Sequence, residues 1–176
     1  MKTPKAFQYA TTFEKEDLIP NVILKKLKKN KGIVYGARSI QAQNKILARS
    51  TTDYDVLVKQ PKVEAFQLQK ELDNLYGFDH FYAKEGMHKG TWKVKSKGFD
   101  MIQDTKDDVG WADFTKQTKP VPKFVLINGV RYRVLKEEIQ AKKKALADKE
   151  FKFRHEKDRN DLNRLKAGIK IKQLMG

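Results

Sequence analysis

The 176-residue chain contains no cysteine. The absence of thiols excludes disulfide bonds, thiolate zinc sites and cysteine nucleophiles, and it is typical of a reducing compartment. No apolar run reaches the roughly 20 residues that a membrane-spanning helix needs, and residues 1–10 lack the apolar stretch of a signal peptide. We therefore expect a soluble protein of the cytoplasm, or of a virus particle assembled in a host cytoplasm, that has no membrane partner.

Acidic residues are also in the minority, because 22 Asp and Glu oppose 38 Lys and Arg and give a formal net charge of +16. Such an excess attracts polyanions, of which nucleic acids and nucleoside triphosphates are the simplest. The same excess also serves solubility. A hydrophobic fraction of 39% is enough for one domain with its own core. The composition therefore predicts a basic globular domain with a polyanionic partner.

The order of predicted helices and strands is typical of an α+β domain with a mixed sheet. Apolar spacing predicts helices near residues 20–31, 39–48 and 65–76, and β-prone runs at 33–35, 53–58 and within 80–116. Asn128-Gly129, between two further β-prone runs, predicts a tight hairpin. We divide the chain into an N-terminal arm (1–19), an α+β core (20–134) and basic C-terminal helices that pack on the core (135–176).

Two aspartates, Asp53 and Asp55, lie two positions apart in one β-prone run. Side chains at positions i and i+2 of a strand leave the same face, so both carboxylates would point into one place. Such neighbours repel unless one takes up a proton or a cation lies between them. Carboxylate oxygens suit Mg²⁺, which commonly binds one or two carboxylates together with substrate phosphates. The pair predicts a magnesium site, and a solvated strand end is the alternative.

A turn of small residues precedes these aspartates. The run 34–40 predicts a strand that ends at Gly36 and leads directly into a helix. A turn without bulky side chains at a helix N-terminus allows backbone N–H groups to reach a phosphate. The candidate phosphate-binding residues are Gly36, Ala37, Arg38 and Ser39. We predict that this turn and the aspartates face one shared cleft.

Residues 34–55 resemble the signature of the polymerase-beta-like nucleotidyltransferase superfamily. In that superfamily a strand ends in Gly-Gly or Gly-Ser, a helix follows, and a second strand carries the paired acids. Arg49, Thr51, Asp53 and Asp55 are similar to its Arg-x-Thr-x-Asp-h-Asp variant, in which h is hydrophobic. This variant occurs in abortive-infection-type toxins and in DNA-virus and phage proteins. The resemblance implies a mixed β-sheet flanked by helices, with Arg49 and Thr51 as nucleotide-binding residues.

A second similarity lies in the basic C-terminal part. Residues 154–162, which read RHEKDRNDL, are similar to the Arg-x-x-Lys-Asp-x-x-Asp-Leu helix of the same branch. The resemblance implies that this helix faces the nucleotide through Lys157 and Asp158. Ion pairs along the helix are the alternative role for both residues.

The superfamily also uses a third carboxylate on a neighbouring strand. Asp113 lies among apolar residues in the run 111–114, as a residue of a central strand does. Asp100, in the run 99–102, is its rival. We predict that Asp113 completes the metal site, because it lies just before the proline-marked connector at 118–122, where the third acid of the superfamily falls.

The resemblance implies a nucleotidyltransferase that uses Mg²⁺, with two ions bound. They would activate an acceptor hydroxyl for attack on the α-phosphorus of a nucleoside triphosphate such as ATP and would neutralise the departing pyrophosphate. The basic helices favour RNA, tRNA included, as the acceptor, and the toxin branch adds an antitoxin as a further partner. The alternative function is a non-catalytic protein of the same fold that binds nucleic acid or builds a virus particle.

Overall fold

The computed structural model describes residues 15–44, 51–98 and 100–175. Arg49 and residues 1–14 of the predicted arm lie outside this range. Short 3-10 helices cover Glu16–Leu18 and Lys149–Arg154. The α-helices are α1 (Ile19–Asn30), α2 (Ala37–Gln43), α3 (Pro61–Tyr76), α4 (Leu135–Ala147) and α5 (His155–Met175). The strands are β1 (Ile33–Tyr35), β2 (Tyr54–Val58), β3 (Phe81–Glu85), β4 (Thr91–Ser96), β5 (Val109–Lys116), β6 (Phe124–Ile127) and β7 (Val130–Arg133).

The strands form one mixed sheet in the order β3-β4-β5-β2-β1-β7-β6. The pairs β2/β5 and β1/β7 are parallel, and the other neighbouring pairs are antiparallel. β2 lies at the centre and alternates between buried residues at 54, 56 and 58 and partly exposed residues at 55 and 57. This alternation sends Asp55 to the face of the sheet opposite the core. The predicted α+β fold with a mixed sheet is confirmed.

Helices α1 and α3 cover the core face of the sheet. Both present apolar residues at helical spacing, which produces one buried stripe on each helix. The stripe residues are Ile19, Ile23 and Leu27 of α1 and Ala65, Leu68, Leu72 and Tyr76 of α3. Each fully buried leucine contributes about 1.5–3 kcal/mol relative to an exposed one. α3 begins at Pro61, four residues before the predicted start, because proline is well suited to the first helical position.

The Asn128-Gly129 pair forms the predicted hairpin between β6 and β7. Asn128 and Gly129 have φ angles of 51° and 79°, and positive values at both central positions are what a type I′ turn requires. The alternation along β7 buries Val130 and Tyr132. It therefore directs Arg133 to the sheet face on which Asp55 lies.

The C-terminal helices α4 and α5 pack against each other, and α4 also contacts α2. α5 buries Leu162 and Leu165. The buried residues of α4 are Glu138 and Lys142, whereas its apolar residues Leu135, Ile139 and Leu146 are only half-buried. The face that α4 turns inward is therefore charged. No helix within the described residues is long and apolar enough to cross a membrane.

Candidate active site

Three carboxylates converge on the open face of the sheet. The parallel pairing of β2 with β5 places Asp55 beside Asp113, and Asp53 lies immediately before β2. One carboxylate oxygen of each of the three lies within 4.8 Å of the others. Asp100 lies instead in an exposed turn, where its Oδ1 accepts a hydrogen bond from the backbone N–H of Ile102 at 3.2 Å. The structure thus brings Asp113, and not Asp100, to the pair, and we call these three residues the acidic cluster.

The acidic cluster is electrostatically unfavourable without a cation. Burial, followed by the charges of Asp113 and Asp53, raises the pKa of Asp55 to about 7. Burial also raises the pKa of Asp113, although Lys93 opposes this shift with its Nζ 3.2 Å from Asp113 Oδ2. Like charges this close favour either a shared proton or a bound cation. Three hard oxygen donors at this spacing fit a divalent ion such as Mg²⁺.

A cleft of about 400 Å³ contains Asp55 and Asp113 in its lining. Gly36 also lines it, so of the predicted turn and aspartate pair Gly36 and Asp55 face the same cleft, whereas Asp53 is not among the residues that line it. Further lining residues are cationic, and three of them, Arg133, Lys142 and Arg154, form what we call the cationic wall. Its field reaches the acids, because Arg154 lowers the pKa of Asp55 against the effect of burial. A cleft with acids on one side and cations on the other suits a metal-bound polyphosphate.

Gly36 is the point of closest approach between the turn and the acids. Its φ is 70° and its ψ is −147°, a backbone conformation that is almost exclusive to glycine. A Cβ atom at this position would lie 2.9 Å from Asp55 Oδ2. The Gly36 N–H donates a hydrogen bond to Glu138 Oε1 at 2.9 Å. This N–H, which the sequence analysis assigned to phosphate, therefore has a carboxylate of the protein as its partner.

We expect Gly36→Ala to destabilise the fold by about 2–3 kcal/mol, since it combines a strained backbone with a contact that is too short. Gly77 is the matched control, because it has a φ of 81° but no atom of the described residues lies within 4 Å of a Cβ built there. Gly77→Ala should cost only the backbone term of about 1 kcal/mol. Urea unfolding measures both. Equal losses in the two variants would contradict the close approach to Asp55.

The remaining residues of the turn do not line the cleft. Arg38 donates from Nη2 to the carbonyl oxygen of Thr52 at 2.8 Å, and its guanidinium lies 4.2 Å from the centre of the Tyr54 ring. Ser39 is buried and donates from Oγ to the carbonyl oxygen of Arg133 at 2.6 Å. Ala37 begins α2 beside them. The structure therefore does not bring Ala37, Arg38 or Ser39 to the acids, because Arg38 follows Tyr54 to the other side of β2.

The other predicted nucleotide-binding residues fall into two groups. Thr51 supports the acidic cluster, since its Oγ1 donates to Asp53 Oδ1 at 3.0 Å. Asp158 lines the cleft and is buried, with Oδ1 3.5 Å from Lys142 Nζ. Its Oδ2 is buried without a hydrogen-bond partner in the described part of the chain. Lys157 is exposed and does not line the cleft.

The cationic wall, and the role of Glu138 in holding Arg133, are not among the features predicted from the sequence. Glu138 is 1% exposed, and its Oε1 accepts from Arg133 Nε at 2.8 Å as well as from Gly36. Helical spacing places Glu138 and Lys142 one turn apart on one face of α4. Charged residues at helical spacing, such as Glu138 and Lys142, could have indicated a buried polar face on α4.

Comparison with solved structures supports the same fold. The crystal structure of the Megavirus polyadenylate synthase matches with a TM-score of 0.67 at 17% sequence identity, over 91% of this chain and 34% of that one. This chain thus spans about a third of the length of the viral protein. JHP933 from Helicobacter pylori matches with a TM-score of 0.48 at 12% identity, over 78% of this chain and 57% of that one.

No protein-family model and no curated protein matches the chain. At 17% identity, the likeness to the Megavirus structure concerns the fold. This chain therefore has the nucleotidyltransferase fold, as the sequence motifs predict.

Proposed function

We propose that this protein is a metal-dependent nucleotidyltransferase, which moves a nucleoside monophosphate from a nucleoside triphosphate to an acceptor hydroxyl. The observation that carries the proposal is the acidic cluster in a cleft that also contains the cationic wall. The reaction needs oxygen ligands for a divalent ion and positive charge for a triphosphate in the same place. The fold likeness to a polyadenylate synthase adds support.

Asp53, Asp55 and Asp113 would hold the metal, for which we propose Mg²⁺ with two ions. Bound there, the ions would lower the pKa of the acceptor hydroxyl and neutralise charge on the leaving pyrophosphate. The protein's own part is to fix the ligands. Thr51 orients Asp53 by a hydrogen bond of 3.0 Å, and Lys93 holds Asp113 by an ion pair of 3.2 Å. Both contacts reduce the freedom of carboxylates that otherwise repel one another.

The cationic wall would bind the triphosphate. Arg133 has its Nε held by Glu138, which leaves the guanidinium facing the cleft in a fixed orientation. A guanidinium binds phosphate oxygens in pairs, and such charge-assisted bonds are about twice as strong as neutral ones. Lys142 of α4 and Arg154, at the end of the 3-10 helix that follows α4, also line the cleft, and both pair with Asp158. In this arrangement the β- and γ-phosphates contact side chains rather than the backbone turn at Gly36.

RNA with a free terminal hydroxyl is the acceptor that we propose, and ATP is the proposed donor. The formal charge of +16 favours a polyanionic acceptor. The Megavirus neighbour is named for the synthesis of polyadenylate, which links the fold to RNA ends in that protein. A tRNA end fits the same chemistry. An antitoxin or a virus-particle partner, and a place in the cytoplasm or the virion, stay predictions from the sequence resemblance.

Labelled nucleotides test the proposal directly. With Mg²⁺ and an RNA acceptor, label in the α-phosphate of ATP should enter the RNA, and label in the γ-phosphate should leave as pyrophosphate. EDTA should stop both. Release of inorganic phosphate instead of pyrophosphate, or no transfer to RNA, DNA or protein with any of the four triphosphates, would overturn the proposal.

Matched carboxylate variants sharpen the test. Asp113→Asn should lower the rate of transfer about 100-fold, because a metal ligand and its charge are lost while Lys93 stays behind. Asp100→Asn removes an exposed carboxylate outside the acidic cluster and should retain the wild-type rate. The reverse order of activities would show that Asp100 is the third ligand.

One observation favours the alternative, a non-catalytic protein that binds nucleic acid. The Gly36 N–H, which a substrate phosphate would use in the predicted arrangement, is bound to Glu138. A wild-type protein that binds RNA but transfers no label under the conditions above would establish this alternative.

A further inference from the structure

Two aromatic rings lie together on the face of the sheet opposite the cleft, where Trp92 packs against the edge of the hydrophobic core and Phe66 lies outside it. α3 packs on the sheet through residues 65, 68, 72 and 76, and Phe66 lies outside this stripe. Phe66 stays 45% exposed. Its ring centroid is 5.5 Å from that of the half-buried Trp92, with 49° between the ring planes. The pair therefore presents aromatic surface to solvent.

A cation completes this surface. The Nζ atom of Lys62 lies 5.3 Å from the centre of the Trp92 ring. Lys62 and Phe66 are one helical turn apart, so both project from the same face of α3. Aromatic faces beside a lysine are what single-stranded nucleic acid uses, because its bases stack on the rings and its phosphates pair with the cation.

The aromatic pair is also continuous with the cleft. Trp92 lies on β4 between Thr91 and Lys93, both of which line the cleft. Alternation along the strand directs Trp92 to the opposite face. The loop between β3 and β4 joins the two faces, and at its tip Met87 lines the cleft and is 83% exposed. A single-stranded nucleic acid that left the cleft over this loop would reach Phe66 and Trp92.

We infer that Lys62, Phe66 and Trp92 form a stacking platform for a single-stranded segment of the nucleic-acid acceptor. That this segment belongs to the acceptor rests on the proposed function, whereas the binding of single-stranded nucleic acid does not. The formal charge of +16 selects a polyanion over an apolar peptide as the occupant. The platform has no base-reading contacts of its own, so stacking there is tolerant of sequence.

Tryptophan fluorescence measures this binding. The chain has two tryptophans, and Trp111 is 4% exposed with its Nε1–H donating to Ser96 Oγ at 2.9 Å. A 12-nucleotide oligouridylate should therefore quench the emission of Trp92, and Trp92→Phe should remove the change. Inorganic polyphosphate, which has the charge but no bases, should leave the emission unchanged. Equal quenching by polyphosphate would overturn the inference.

Phe66→Ala should weaken oligouridylate binding about tenfold, within the range measured for one stacked base. Leu126→Ala is the control, because Leu126 is 65% exposed on β6 at the other edge of the sheet. This variant should bind oligouridylate with the affinity of the wild type. Unchanged affinity in Phe66→Ala would overturn the platform.

A dinucleotide acceptor, which is too short to reach the platform, separates this inference from the proposed function. If the wild type transfers no nucleotide to the dinucleotide, the result counts against the proposed function and not against the platform. Phe66→Ala should transfer nucleotide to the dinucleotide as well as the wild type does.

Discussion

We expect Asp55→Asn to lose nucleotidyl transfer almost completely while it makes the metal-free protein more stable. Burial and the charges of Asp113 and Asp53 raise the pKa of Asp55, and Arg154 and Lys93 only partly compensate. A metal that stabilises transition-state charge contributes several kcal/mol, and at 1.36 kcal/mol for each tenfold change a loss of about 10³-fold follows. The loss of activity and the gain of stability have the same cause, which is the concentrated negative charge.

The sign of the stability change follows from the pKa. Asp55 has a pKa of about 7 in the folded state, against an ordinary value of 3.8. The folded state therefore binds more protons than the unfolded state between these values, and stability falls as the pH rises from about 4 to 7. Asparagine does not ionise. At pH 8 and without metal, the variant should be more stable by on the order of 2 kcal/mol, or about 4–8 °C in Tm.

Thermal unfolding at pH 8, with and without Mg²⁺, measures this effect. Mg²⁺ should raise the Tm of the wild type, because the cation relieves the repulsion, and should leave that of Asp55→Asn nearly unchanged. Asp104→Asn serves as the control, since Asp104 is an exposed acid that pairs with Lys84 far from the cluster. An equal response of wild type and Asp55→Asn to Mg²⁺ would place the metal elsewhere.

The second large effect concerns stability, and we expect Glu138→Ala to cost about 3–5 kcal/mol. Glu138 is fully buried and accepts from both Arg133 Nε and the Gly36 N–H. Its removal leaves a partly buried guanidinium and a backbone donor without their partner, and such uncompensated groups are expensive. At about 2–4 °C for each kcal/mol in a chain of this size, the Tm should fall by roughly 10 °C.

Glu137→Ala is the control for this change, because it removes the same charge one position earlier in the first turn of α4. Its cost should stay below about 1 kcal/mol, which is the usual contribution of an acid near a helix N-terminus. Glu138→Gln should lie between the two, since an amide can still accept from one donor. If Glu138→Ala and Glu137→Ala unfold at the same urea concentration, the buried bridge does not stabilise the fold.

Local patterns predicted those parts of the molecule that depend on neighbouring residues. The hairpin at Asn128-Gly129 needed only two residues that tolerate positive φ, and the stripe of α3 needed only helical spacing. Apolar neighbours on both sides indicated that Asp113 lies on a central strand, and its choice over Asp100 came from the position of the third acid in the superfamily. The hairpin and the helix stripe depend on residues that lie within a few positions of one another along the chain. The central strand is recognisable because its burial on both faces makes its sequence apolar.

The cationic wall and the role of Glu138 depend on contacts that no local pattern contains. Gly36 and Glu138 are 102 positions apart in the chain. Their hydrogen bond forms because β7 pairs with β1, which brings the start of α4 next to the turn after β1. The positions of Arg38 and Ser39 away from the cleft depend on non-local contacts too. Whether a side chain after a turn faces the cleft depends on which side of β2 the following helix packs. The Arg38 guanidinium lies 4.2 Å from the centre of the buried Tyr54 ring, which is on the face of β2 opposite Asp55.

The position of β7 also bears on the order in which the protein is made. β1 lies between β2 and β7 in the sheet, so a nascent chain that ends before residue 130 has an open edge on β1. The three carboxylates leave the ribosome before the arginines and the lysine that face them across the cleft. We therefore expect the newly made N-terminal part to remain incompletely folded and self-repelling until the last two helices dock, which makes early truncation far more damaging than its length suggests.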